Sequence, residues 1–192
     1  NFKLKSDKKT KTPTILWNHR WEYDKNPELF FDVLRKIKDK KMDFNLIVIG
    51  ESFGNSPKVF QQAKIEFEKH IIKWGYQKSI KDYIDCLSMS DIIPVTSNHD
   101  FFGISVMEAV FCNVWPILPD RLSYRELFKN KGHIENIYTN DNQLITKIEA
   151  AIKNIYQIRN QSLKKVAQKY DWKRLARNYD DEFEKIILPS NL

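Results

Sequence analysis

Residues 91–112, Asp91-Ile-Ile-Pro-Val-Thr-Ser-Asn-His-Asp-Phe-Phe-Gly-Ile-Ser-Val-Met-Glu-Ala-Val-Phe-Cys112, carry the reading that decides the fold. An apolar run from Asp91 to Ser97 gives way to polar residues, and apolar side chains then recur at helical spacing from Gly103 to Cys112. A strand passing through a glycine turn into a helix is the repeating unit of a parallel sheet. Pro94 counts against a central strand, because proline has no N–H for a ladder.

The same alternation extends in both directions. Thr14-Ile-Leu-Trp17 reads as a buried strand, followed by a helix entered at Pro27 with Leu29, Phe30, Val33, Leu34 and Ile37 on one face. Asn45–Ile49 is a β-branched run closed by Gly50. Pro57–His70 is helical, Ile71–Trp74 is strand-like up to Gly75, and Ile80, Tyr83, Ile84 and Leu87 mark another helix. Downstream come a strand at Val114–Leu118, a short helix at Tyr124–Phe128 and a strand at His133–Tyr138. Short connections between such elements imply right-handed crossovers. The expected fold is α/β: a Rossmann-like parallel sheet of about six strands, helices on both faces, and a helical C-terminal tail beyond Asn140. That tail is expected to pack across the sheet or toward a partner domain. Residues 1–13 read as a basic lead, and residues 14–192 as a single domain.

A chain of 192 residues, 42% hydrophobic, is long enough for one domain with a full core. It has no run of eighteen apolar residues, so no transmembrane segment is expected, and the Lys-rich start lacks the apolar centre of a signal peptide. A soluble, cytoplasmic chain is the expectation. Cys86 and Cys112 lie in apolar helical patterns away from any histidine at ligand spacing, which argues for packing over a disulfide or zinc site. The net charge of +7 favours polyanionic company such as nucleotides, RNA or lipid head groups.

In a doubly wound sheet, ligands bind beyond the carboxyl ends of the strands. The loop after the first strand holds Arg20 and Lys25, two cations suited to a diphosphate, although a solvated surface pair is an equal reading. At the second loop, the helix opening at Gly103 turns free N–H groups toward any anion, so the backbone of Gly103, Ile104 and Ser105 is a candidate phosphate site. Asp100 and Glu108 flank it as hydrogen-bond acceptors for hydroxyl groups. Gly75 and Tyr76, after the third strand, could read a base edge. His99 is a candidate contact or a structural histidine. Trp17, Trp21, Phe101 and Phe102 read as packing residues that could border a pocket. No metal-ligand spacing stands out, and no G-x-G-x-x-G follows the first strand, which argues against a dinucleotide-dependent dehydrogenase.

Arg20, Lys25, Asp100, Gly103 and Glu108 together resemble the donor-site pattern of the group 1 family of retaining GT-B glycosyltransferases. That pattern has Gly-Arg, four residues, then Lys-Asn after the first strand of the C-terminal domain, and Glu-x-Phe-Gly, four residues, then Glu at the donor turn. Within the family, the stretches 15–28, 99–103 and 108–116 are similar to the tRNA-queuosine α-mannosyltransferase group, where His stands for the glycine before the arginine, as at His19. The resemblance runs from about Thr14 to Ile187. It implies GDP-mannose as donor, queuosine in tRNA as acceptor, no required cofactor or metal, and a missing N-terminal GT-B domain. It also implies roles: Arg20 and Lys25 on the diphosphate, Asp100 on the sugar and Glu108 on the ribose. Two positions depart from the pattern, Asp100 for the usual Glu and Asn113 for a usual Gly. A lipid or polysaccharide acceptor and a non-enzymatic RNA-binding module remain rival readings.

Overall fold

The computed structural model describes residues 11–187 apart from 53 and 55. Six parallel strands, β1 (Thr14–Trp17), β2 (Asn45–Val48), β3 (Ile71–Trp74), β4 (Ile92–Pro94), β5 (Trp115–Pro119) and β6 (Ile137–Tyr138), lie in the order β3-β2-β1-β4-β5-β6. Every residue of β1 and β4 is buried, which is why these strands read as unbroken apolar runs.

Side chains alternate across the sheet. Ile15 and Trp17 enter one core with Phe30, Phe31, Phe60 and Phe67, roofed by α1 (Pro27–Asp39), α2 (Val59–Glu66) and α6 (Asp141–Lys153). Leu16 enters the opposite core with Ile93, Val106 and Phe128, roofed by α3 (Ile80–Met89), α4 (Ile104–Phe111), α5 (Tyr124–Leu127) and α8 (Lys164–Gln168). Some helix starts are capped by a short polar side chain. The Asn26 side chain accepts from Leu29 N ahead of α1, and that of Asn140 accepts from Gln143 N ahead of α6.

The anticipated sheet is present, with corrections. The strand expected over Asp91–Ser97 shrinks to three residues and does include Pro94. Proline is tolerated there because the ladder with β1 is recorded only at Ile15↔Ile92, while toward β5 Pro94 lies opposite Ile117. The strand expected over His133–Tyr138 is reduced to Ile137–Tyr138. Ile134–Asn136 form a 3-10 turn, and the buried Asn136 side chain donates to Pro116 O. The helix expected over Pro57–His70 is α2 followed by a separate 3-10 turn at Glu68–His70. A short α7 (Ile155–Arg159) was not foreseen. Most of the 1–13 lead lies outside the described residues.

Asn113 adopts φ 62°, the left-handed conformation for which glycine is usual and asparagine is tolerated. Cys86 and Cys112 are buried free thiols, both pushed up to about 11 chiefly by burial. The tail divides. α6 packs into the core, whereas α9 (Trp172–Ile187) leaves nearly all its residues exposed, Trp172 and Phe183 included.

Candidate functional site

β1 and β4 are neighbours whose connections depart toward opposite edges of the sheet, so a crevice opens beyond their carboxyl ends. The loops leaving the two strands are tied across it. Asn98 N donates to Asp24 O at 2.8 Å, and the buried Thr96 hydroxyl lies 2.9 Å from Lys25 O and 3.0 Å from Asn26 O. Arg121, from the turn after β5, donates to Ser97 O and Thr96 O, both at 3.1 Å.

Lys25 is 7% exposed, and its ammonium donates to His99 O at 2.7 Å. Carboxylate oxygens of Asp24 and Asp100 stand 3.1 Å and 4.0 Å away. Asp100 accepts from Gly103 N and from the Tyr124 hydroxyl, each at 3.0 Å. It therefore pins the turn that opens α4. Gly103 is required there on two counts: φ is 78°, and a Cβ would lie 2.9 Å from the Tyr124 ring. Among the described residues no side chain caps α4, so its first-turn N–H groups are available to an anion.

A second chain of bonds ties the β1 loop to α4. Asn18 Nδ2 donates to Ser105 O at 2.8 Å and to the Tyr83 hydroxyl at 3.2 Å, and that hydroxyl donates to Glu108 at 2.7 Å. His19 Nδ1 lies 3.1 Å from Ser105 Oγ. Its backbone is fixed as well. The Trp17 indole donates to His19 O at 2.9 Å, and Gly50 passes so close that a Cβ would sit 2.0 Å from the same oxygen. Burial lowers the His19 pKa to about 4, with Asp100 opposing and Lys25 reinforcing the shift. Burial, joined by the facing carboxylate, pushes the Tyr83 and Tyr124 phenols up, so both remain proton donors. Among the described residues, buried side-chain polar atoms without a partner occur on Asn18, His19, Trp21, Asp24 and Ser97, all in these two loops, and otherwise only on Ser123 and Asn136. Orphaned polar atoms are uncommon in folded proteins, and five of these seven residues fall in the two loops at the crevice.

Beside Glu108, a cleft of about 750 Å³ runs between α3, α4 and the 163–173 segment, lined by Ile80, Tyr83, Phe102, Ile104 and Tyr170 among others. The structure thus gathers Lys25, His99, Asp100 and Gly103 at the crevice, with Ser105 and Glu108 one turn on. Arg20 is at the rim, exposed and paired with Glu22 at 3.1 Å, and no bond from its side chain to Lys25 or α4 is recorded among the described residues. Gly75 and Tyr76 follow β3, with the Tyr76 side chain in solvent. His99 contributes its carbonyl, while its ring meets Phe101 edge-on. Phe101, read as packing, is 87% exposed, because the tight turn at 100–103 leaves it no core to enter. Phe102 packs on Tyr170. Sequence reading missed Asn18, Tyr83, Arg121 and Tyr124. Tyr83 stood in an apolar helical stripe, and only its hydroxyl hinted at a polar task.

The protein-family model described as "Glycosyl transferases group 1" matches residues 1–170. A tRNA-queuosine alpha-mannosyltransferase of Drosophila melanogaster is 34% identical over 134 residues, covering 70% of this chain and 34% of that protein. A probable sucrose-phosphate synthase of Thermosipho melanesiensis is 27% identical over 191 residues, covering 94% of this chain and 43% of its own. Among solved structures, the pneumococcal O-GlcNAc transferase GtfA in complex with UDP and GlcNAc superposes with a TM-score of 0.71 at 15% identity, over 95% of this chain and 37% of that one. The chain spans less than half the length of each.

Proposed function

Since this chain belongs to the group 1 glycosyltransferases, we propose that it is the donor-binding half of a two-domain GT-B enzyme that transfers a hexose from a nucleotide sugar with retention. One observation carries the reading: a buried lysine, an uncapped helix start and a cluster of unpartnered polar atoms converge at the switch point of the sheet. The diphosphate lies against Lys25 and the first-turn amides of α4, which stabilise the charge that develops as the glycosidic bond breaks. Asp24 and Asp100 already offset the Lys25 charge. The surplus positive potential comes from the α4 amides and from Arg20, which exchanges Glu22 for phosphate. Asp100 keeps lone pairs for sugar hydroxyls, Glu108 for the ribose, and the base enters the apolar cleft or meets the backbone at Gly75 and Tyr76.

GDP-mannose as donor and queuosine in tRNA as acceptor are the finer reading. They are supported by the likeness to the Drosophila melanogaster mannosyltransferase. An N-terminal domain outside residues 14–192 supplies the acceptor site, and the exposed apolar face of α9 leans on it. Among the described residues no helix is long and apolar enough to cross a membrane. Calorimetry with GDP, UDP and ADP tests the reading. GDP is expected to bind best, and Lys25→Ala to weaken binding by about tenfold or more, the scale of a lost hydrogen bond to a charged group. Silence toward all three nucleotides would refute it.

A further inference from the structure

We propose that His19 is a donor-contacting residue: held at Nδ1 by the Ser105 hydroxyl, its neutral ring presents an Nε2–H to an oxygen of the donor diphosphate at the opening of α4. The inference rests on the donor-site reading above and adds a contact to it.

Position is the first support. His19 lies two residues beyond β1, is 3% exposed, and touches through Nδ1 the second residue of α4, the helix whose first-turn amides open at the crevice. Its other nitrogen, Nε2, is buried and has no hydrogen-bond partner among the described residues. A hydroxyl donates as readily as it accepts, so Ser105 lets the ring carry its single proton on Nε2. The Trp17 edge, at a centroid distance of 5.3 Å, and the fixed backbone carbonyl hold the ring in place before any ligand arrives. The entropy of orienting that donor is spent in folding.

Charge is the second support. The groups that act on the ring are Asp100, Lys25 and Asp24, two carboxylates and one ammonium. A further cation at His19 would be buried at the cost of desolvation, whereas a neutral N–H supplies a phosphate with a donor and no charge to bury. The lowered pKa of the ring agrees with this, since the imidazole stays neutral at physiological pH.

The test is calorimetry of the wild-type chain and of His19→Leu, His19→Gln and Ser105→Ala with GDP, with UDP and ADP alongside, and with guanosine as the probe that lacks phosphate. His19→Leu should weaken GDP by about tenfold while leaving guanosine unchanged. His19→Gln, whose amide reaches the place of Nε2, should recover most of the loss, and Ser105→Ala should lose less than His19→Leu. Equal loss for GDP and guanosine, or an unaltered GDP affinity in His19→Leu, overturns the inference and leaves the donor site standing. Wild-type silence toward every nucleotide removes both. Imidazole 15N spectra of the GDP-bound wild type decide the matter even where a variant fails to fold: an Nε2–H tautomer supports the contact, and an Nδ1–H tautomer overturns it.

Discussion

Lys25 and His19 show two answers to burial beside the same crevice. Lys25 is surrounded by a carbonyl and two carboxylates, whereas burial lowers the His19 pKa to about 4, and the ring, lacking so close a carboxylate, gives its charge up. The second answer has a consequence for stability. The folded pKa of about 4 lies below the unfolded value of 6.5, so the unfolded chain binds more protons between those values. The stability that goes with a neutral ring is complete above pH 6.5 and is lost as pH falls toward 4. Urea unfolding at pH 7.5 and 4.5 should show the wild type losing about 2–3 kcal/mol more than His19→Asn over that interval. Equal losses in the two proteins would contradict the assigned protonation state.

At the level of elements, the two ends of the sheet have different duties. The carboxyl end carries the crevice. At the amino end, the fully buried Asp91 receives both nitrogens of an Arg159 fork, at 2.9 Å and 2.8 Å, and also accepts from Thr14 N. This pair locks the end of α7 to the starts of β1 and β4. Arg159→Ala would strip a buried carboxylate of its cation, and a loss of about 3 kcal/mol is expected in chemical unfolding. Nucleotide affinity below the melting range should be unchanged, because the pair stands at the opposite end of the strands from Lys25. A drop in affinity without a drop in stability would show the two ends to be coupled. Neither Asp91 nor Arg159 could be paired from sequence, since 68 residues separate them and periodicity says nothing of which helix end meets which strand.

For the molecule as a whole, the sheet and its two cores are complete by α8, and α9 adds an exposed amphipathic helix with Trp172, Tyr179, Phe183, Ile186 and Ile187 in solvent. Removing residues 171–192 should therefore leave a cooperative melt within about 1 kcal/mol of the full chain, the scale of changes made away from a core. A collapse of the melt would mean that α9 holds the domain together.

Strand and helix order, the two-sided burial of the sheet and the glycine turn ahead of α4 were written in local pattern, because apolar period and turn chemistry act over a few neighbouring residues. Lys25, Asp100 and Gly103 stood out as residues of the loops that follow strands, and Glu108 as part of α4, with their roles implied by the family resemblance. Local pattern carries no information about partners across the fold. Tertiary packing alone set Pro94 inside a strand, turned Arg20 to the rim and Phe101 into solvent, joined Asn18 and Tyr83 to Glu108, and closed Tyr124 over Asp100. Each of those outcomes depends on which distant group fills the neighbouring space, and the folded chain is the first place where that is decided.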